Sequence, residues 1–273
     1  GDITIGKTIK SGQGIDMKTG PGNITVGQDV TSGTTVNLTS GKGNITVGDK
    51  TTGTGNVTAN GNVNLTVTEG NIDIVKTVAS ENGNVTAKAD QGDIRIGSNG
   101  PEERTVYAKG DIDMSVTEGI IRIQGKTETA DGDISMQAHN EQDNQNIVIE
   151  QDGKLVSGRD LTLHVYNGDI EVTDKTLAGK DFYAIVDNKG NISFERDVTT
   201  TGDLVFEVDD GDVTINHTVT STEGSINISS REGNIRIGDN GPTDETVTAK
   251  ENVSLVTENG KIVVRRITLN LQP

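Results

Sequence analysis

The residues able to do chemistry are few. The chain has no cysteine and three histidines, His139, His164 and His217, so thiolate catalysis, disulfides and zinc–thiolate sites fall outside its repertoire. The histidines stand in Ala-His-Asn, Leu-His-Val and Asn-His-Thr. None matches the Gly-His-Gly beside paired aspartates that a pectinase-type hydrolase would carry. Asp209-Asp210 is adjacent in sequence but precedes a strand-like segment and reads as a solvated turn. An eliminating lyase needs a carboxylate cluster holding calcium next to a Lys or Arg base. Arg95 and Arg122 carry the right charge, yet the outward positions around them supply no such cluster. No Gly-Gly-x-Gly-x-Asp nonapeptide and no EF-hand loop is present. Asp239 and Asp244 are the best carboxylates for a weak metal site, with surface solvation the simpler reading. The expectation is therefore no enzyme, no catalytic residue and no cofactor.

Composition narrows the partners. Lys plus Arg number 24 against 41 Asp plus Glu, a net charge of −17, and affinity for nucleic acid comes largely from Lys and Arg displacing counterions. Nucleic acid is thus excluded as a natural partner. No apolar run approaches the roughly 18 residues of a membrane-spanning helix, and insertion as a helix is not expected. Hydrophobic residues make up only 30% and aromatics 2%, while glycine reaches 35 residues. A core built on large rings is ruled out, so small aliphatics must be placed economically.

A repeat places them. Gly, then Asn or Asp, then Ile, any residue, then an aliphatic begins at Gly1, Gly22, Gly43, Gly70, Gly92, Gly168, Gly190, Gly211 and Gly233, with degenerate copies at Gly119, Gln145 and Gly260. These twelve starts, 21–27 residues apart, define coils 1 to 12. The third position reads Ile3, Ile24, Ile45, Ile72, Ile94, Ile121, Ile147, Ile170, Ile192, Val213, Ile235 and Ile262, and the fifth is again aliphatic or Phe194. Aliphatic, free, aliphatic is the period-2 signature of a strand with one buried face. Further short strand patterns follow in each period, such as Lys76–Ala79 and Gly83–Ala87.

Three strands of four to five residues with tight turns close one coil, and coils stacked about 4.8 Å apart form a rod of roughly 55–60 Å. Each strand then needs only two inward side chains. The expected fold is all-β, a parallel β-helix of about twelve three-stranded coils, one domain over residues 1–273. The Asn/Asp column suits a corner, both for its tolerance of left-handed backbone and because stacked amides hydrogen-bond from coil to coil.

The 26–27-residue coils carry about five extra residues, expected as loops leaving one corner. Two match closely: Ile96 to Val106 and Ile237 to Val247, 141 residues apart. They suggest duplication of a six-coil block, and Asn99, Pro101, Glu102, Asn240, Pro242 and Asp244 in them are the expected contact points. Phe182, Tyr183, Phe194 and Phe206 lie in adjoining coils, as rings filling a wider bore. Outward Thr4, Thr25 and Thr46 give way to Asp73 and Arg95, which breaks the flat lattice an ice-binding surface needs. Ten Asn-x-Ser/Thr sequons arise from the alternation of Asn and Thr and are assigned no glycan.

Tandem Gly-Asn/Asp-Ile strand repeats near 20 residues, acidic and free of cysteine, resemble the filamentous-haemagglutinin-like shafts of large bacterial exoproteins and adhesins. The likeness covers essentially all 273 residues. It implies a right-handed parallel β-helix, often exported by two-partner secretion, although the Asn-Pro-Asn motifs of that family's secretion domain are missing. It also implies a secreted or cell-surface rod that acts as stalk or adhesive fibre and meets a receptor or glycan on a host or neighbouring cell. No capping segment is visible at either end of the pattern. The rod is expected to be a segment of a longer repeat protein or to self-associate end to end. A polysaccharide-binding or polysaccharide-cleaving β-helix is the alternative.

Overall fold

The computed structural model describes residues 1–49, 53–97, 104–139, 146–174, 176–238, 246–265 and 267–269. Among them there is no helix. The strands form three parallel sheets of 12, 12 and 11 members, and in each sheet a strand pairs with the one three places later in the chain. This is a parallel β-helix. The first sheet holds the Gly-Asn/Asp-Ile strands, from Ile3–Ile5 through Ile94–Ile96 to Ile262–Val264. The second starts at Ile9–Ser11 and the third at Ile15–Pro21.

The predicted isoleucine column is a true ladder. Ile3 pairs with Ile24, Ile24 with Ile45, Ile45 with Ile72 and Ile72 with Ile94. The pairing continues without a slip through Ile121, Ile147, Ile170, Ile192, Val213 and Ile235 to Ile262. Ten of these twelve side chains are buried; Ile3 is partly covered and Ile262 is 43% exposed, because each lies on an edge strand of the sheet. Fully burying an Ile or Val is worth about 1.5–3 kcal/mol, so a bore lined almost wholly by such residues compensates for the low apolar content.

The three large rings pack together inside the bore. Phe182, Phe194 and Phe206 are all buried. Phe194 and Phe206 stack at 4.9 Å with an interplanar angle of 4°, and Phe182 meets them edge-on at 5.7 and 5.2 Å. Both are favoured geometries for ring quadrupoles. Tyr183 does not join them, since alternation along Phe182–Lys189 turns it outward.

Three expectations need correction. Most strands of the third sheet run seven residues, as in Val63–Glu69 and Val85–Gln91, and bury three side chains rather than two. They continue around a bend, so that Gln91 pairs with Glu118 after Asp90 is skipped. The insertions also leave from two corners. Nine residues separate Ile45–Val47 from Val57–Ala59 and Ile235–Ile237 from Val247–Ala249, against three in coil 2. In coil 6 the extra residues instead follow the third strand, between Ile134–Ala138 and Ile147–Ile149. Finally, the corner asparagines and aspartates do not take left-handed backbone; the glycines before them do at Gly22, Gly43, Gly70, Gly92, Gly168, Gly190 and Gly211, and Asp152 is the one non-glycine with positive φ among the described residues.

Candidate functional site

The contact points expected from sequence, Asn99, Pro101, Glu102, Asn240, Pro242 and Asp244, lie outside the described residues, as does the candidate metal carboxylate Asp239.

A side-chain ladder stands at the corner entering the first sheet. Gly70 has φ +139°, and a Cβ there would lie 2.6 Å from the Gly43 carbonyl oxygen. Glycine is needed because the backbones of successive coils touch at this corner. The next residue then reaches along the axis. Asn23 Oδ1 accepts from Asn44 N, Asn44 Oδ1 from Asn71 N, and Asn71 Oδ1 from Asp93 N, each at 2.8 Å. Asp93 Oδ1 accepts from Ile120 N, and there the ladder stops because Ile120 has no acceptor. It resumes from Asn146 through Asp169, Asn191, Asp212 and Asn234 to Lys261 N.

A second ladder, which sequence reasoning passed over, stands at the start of the third sheet. It climbs from Asn62 through Asn84, Asp111, Asp133, Asp160, Asp181 and Asp203 to Ser225 and Asn252 N. Five consecutive aspartates here are partly neutralised. Arg159 grips Asp133 at 3.0 and 2.9 Å and reaches Asp111 at 3.3 Å, while Lys180 lies 3.0 Å from Asp181. Nearby Asp113 has its carboxyl pushed above the usual range by burial and then by the charges of Asp111 and Asp133.

Single carboxylates flank Arg95 and Arg122 as ion-pair partners, without forming a metal-holding cluster among the described residues. Arg95 lies 3.4 Å from Asp73 and is also paired with Asp93; Arg122 is paired with Glu150. Gln124 donates to Glu150 at 2.5 Å. That bond and, against the effect of burial, the guanidinium of Arg122 hold the Glu150 carboxyl below its ordinary value. Both arginines are thus engaged with carboxylates. No group of three or more His, Asp or Glu with metal-site geometry occurs among the described residues.

Two grooves cross the coils of the second half. One, of about 350 Å³, runs along the bend of the third sheet and includes Asp187, Glu207, Asp209, Arg231, Val256 and Glu258. Its charges are partly self-satisfied, with His164 2.8 Å from Asp187 and Arg231 clasping Asp209. The other, of about 390 Å³, lies at the corner between the first and second sheets and is lined by Gln151, Thr173, Glu195, Arg196, Asn216 and His217. Its signal is legible in the column after the last first-sheet residue: Gly6, Gly27, Gly48 and Gly97 in early coils, but Gln124, Glu150, Thr173, Glu195 and Asn216 in five consecutive later ones.

Comparison with protein-family models returns no match, and comparisons with curated proteins and with solved structures return none either.

Proposed function

We propose that the chain is a non-enzymatic structural and adhesive rod, the β-helical shaft of a secreted or surface-attached bacterial exoprotein. The observation that carries this reading is the unbroken register of the isoleucine column over all twelve coils. Every coil is joined to the next by parallel pairing, and two corner ladders add side-chain bonds where sheet bonding is interrupted. An axial load is thereby shared over many bonds in each coil, as a stalk requires. Net charge −17 keeps such a rod soluble and resists lateral bundling. The resemblance of the repeat to filamentous-haemagglutinin-like shafts supports the extracellular setting and a receptor or glycan on another cell as partner. End-to-end association belongs to the same proposal.

Small-angle scattering is expected to give a rod whose length fits twelve coils at about 4.8 Å each; a compact or much shorter particle overturns the architecture on which the role depends. Protease shaving of intact cells carrying the full-length protein is expected to release the coils, and release only after lysis overturns the location. Incubation with neutral and acidic polysaccharides, followed by reducing ends and by lyase absorbance, is expected to show no turnover. Sustained cleavage would overturn the non-enzymatic reading. A sizing series over concentration tests self-association, and an invariant monomer counts against it.

A further inference from the structure

The geometry points to the corner groove of coils 7–10 as a binding site for a linear, hydroxyl-rich ligand, a neutral oligosaccharide lying along the rod axis. The shaft role assigns this groove nothing; only the cellular source of the glycan rests on the extracellular reading above.

The groove is lined entirely by polar side chains. Coil 7 gives Gln151, coil 8 Thr173, coil 9 Glu195 and Arg196, and coil 10 Asn216 and His217. Successive coils lie about 4.8 Å apart, comparable with one extended pyranose unit, so the lining presents a fresh hydrogen-bonding group at each sugar step. Carboxylate and guanidinium stand side by side in coil 9, so with the histidine neutral the lining itself carries no net charge to select an anion or a cation. The lining offers no apolar floor for a hydrophobic guest. Amide, hydroxyl and imidazole groups both give and take hydrogen bonds, and a ligand dense in hydroxyls is the chemistry that answers them in both directions.

One atom sharpens the assignment. Asn216 is 8% exposed, and its Nδ2 donates to Glu195 Oε2 at 2.7 Å. That bond fixes the amide and leaves Oδ1 as a buried acceptor without a partner. Such orphans are uncommon and call for an explanation. Its neighbours in the corner column are satisfied: Thr173 Oγ1 donates to the Ile149 carbonyl at 3.0 Å, and Glu150 is held by Arg122 and Gln124. The groove is therefore lined by a residue whose acceptor finds no partner within the protein, and a ligand hydroxyl that reaches it on a small shift of the amide would supply one.

The test is calorimetric titration of the whole chain with linear hexasaccharides of β-1,4-glucan, β-1,4-xylan, β-1,4-mannan and β-1,3-glucan, with hexagalacturonate and pentalysine as charged probes. At least one neutral hexasaccharide is expected to bind with a dissociation constant at or below about 1 mM. Arg196→Ala, an exposed position, and Asn216→Ala are each expected to weaken binding about tenfold, as loss of one good hydrogen bond does. Thr66→Ala, on the distant third-sheet face of coil 3, is expected to leave it unchanged. Unfolding midpoints separate a lost contact from a lost fold, and Arg196→Ala keeps the test decisive if Asn216→Ala unfolds. Binding of charged probes alone, of no probe, or of neutral probes indifferent to both variants overturns the proposal. None of those results touches the shaft reading, which scattering and cell shaving decide.

Discussion

The corner entering the first sheet and the corner leaving it obey different rules. At the entering corner, nine of the twelve coils start with a glycine followed by Asn or Asp and the other three depart from that pair by one residue, and at glycines such as Gly43 and Gly70 the backbones stack so closely that a Cβ collides with the coil below. At the leaving corner the residue after the strand is Gly, Val, Gln, Glu, Thr, Asn or Arg, and three of the four long coils open their insertions there. The difference lies in what the corner must satisfy. Where backbone touches backbone and a side-chain oxygen must meet the next N–H, one residue pair fits. Where the chain leaves the stack, any length and polarity that returns in register is tolerated. The leaving corner also carries the imperfections. Of the buried side-chain atoms without partners among the described residues, Asn216 Oδ1 lies at it and the hydroxyls of Thr105, Thr127 and Thr176 lie in the strands it feeds.

The largest effect is expected from glycine. Gly70→Ala combines a disfavoured φ of +139° with a 2.6 Å approach to the Gly43 carbonyl, and should cost on the order of 3 kcal/mol in a denaturant titration. Gly53, in the insertion of coil 3, also has positive φ, +70°, but a Cβ there meets nothing within 4 Å. Gly53→Ala should cost about 1 kcal/mol, from strain alone. Equal losses at the two sites would erase the distinction between stacked and free corners.

Next comes the ladder itself. Asn71→Ala leaves the part-buried Asp93 N–H without its 2.8 Å acceptor and should destabilise by about 1–2 kcal/mol. Faster amide exchange at Asp93 would mark the lost bond. Unchanged exchange there would mean that the corner amides are protected by stacking alone and that the ladder contributes nothing.

The reverse sign is expected at the imperfect corner. Thr176 is buried with its hydroxyl unpaired, facing Leu155 on one side and Val198 on the other. Thr176→Val keeps the shape and removes the orphan, and should stabilise by about 1 kcal/mol. A loss instead would show that the hydroxyl has a partner in solution and would weaken the contrast between corners.

The same contrast governs what could be read in advance. The isoleucine ladder and the Asn/Asp ladder are legible because glycine marks both at a nearly fixed phase; only Ile120, Lys261 and the Gln145-Asn146 copy, in phase but without its glycine, depart from the pair. The second ladder was harder to see because its glycine gives way to Arg159, Lys180 and Glu251, which hides the aligned Asp160, Asp181 and Asn252. The seven-residue strands escaped notice because the skipped residue at the bend, Asp90 in coil 4, spoils the period-2 pattern that reveals a strand. The corner groove had a signal, the run Gln124, Glu150, Thr173, Glu195 and Asn216, but polar residues in a turn carry no meaning until their stacking is known. The expected contact loops rest on their prolines and their duplication, and those residues lie outside the described part of the rod.

The smallest predicted effect concerns charge. Asp113 stands in the outward face of the third sheet, flanked in register by Thr86 and Ser135, and feels Asp111 and Asp133. Burial and those two charges raise its folded pKa. A carboxyl whose pKa is raised on folding subtracts stability wherever it must be ionised, above the folded value, and subtracts nothing below the unfolded value of about 3.9. Asp113→Asn should therefore stabilise the rod at neutral pH, by a few tenths of a kcal/mol because the site is exposed to screening solvent, and the gain should vanish as the pH falls through about 4. High salt should shrink it as well. Unfolding midpoints at neutral pH and near pH 3, each with and without salt, are the measurement. A gain that persists in acid would mean that the carboxylates of the second ladder do not repel one another across the stack, and that its cations, Arg159 and Lys180, already balance them.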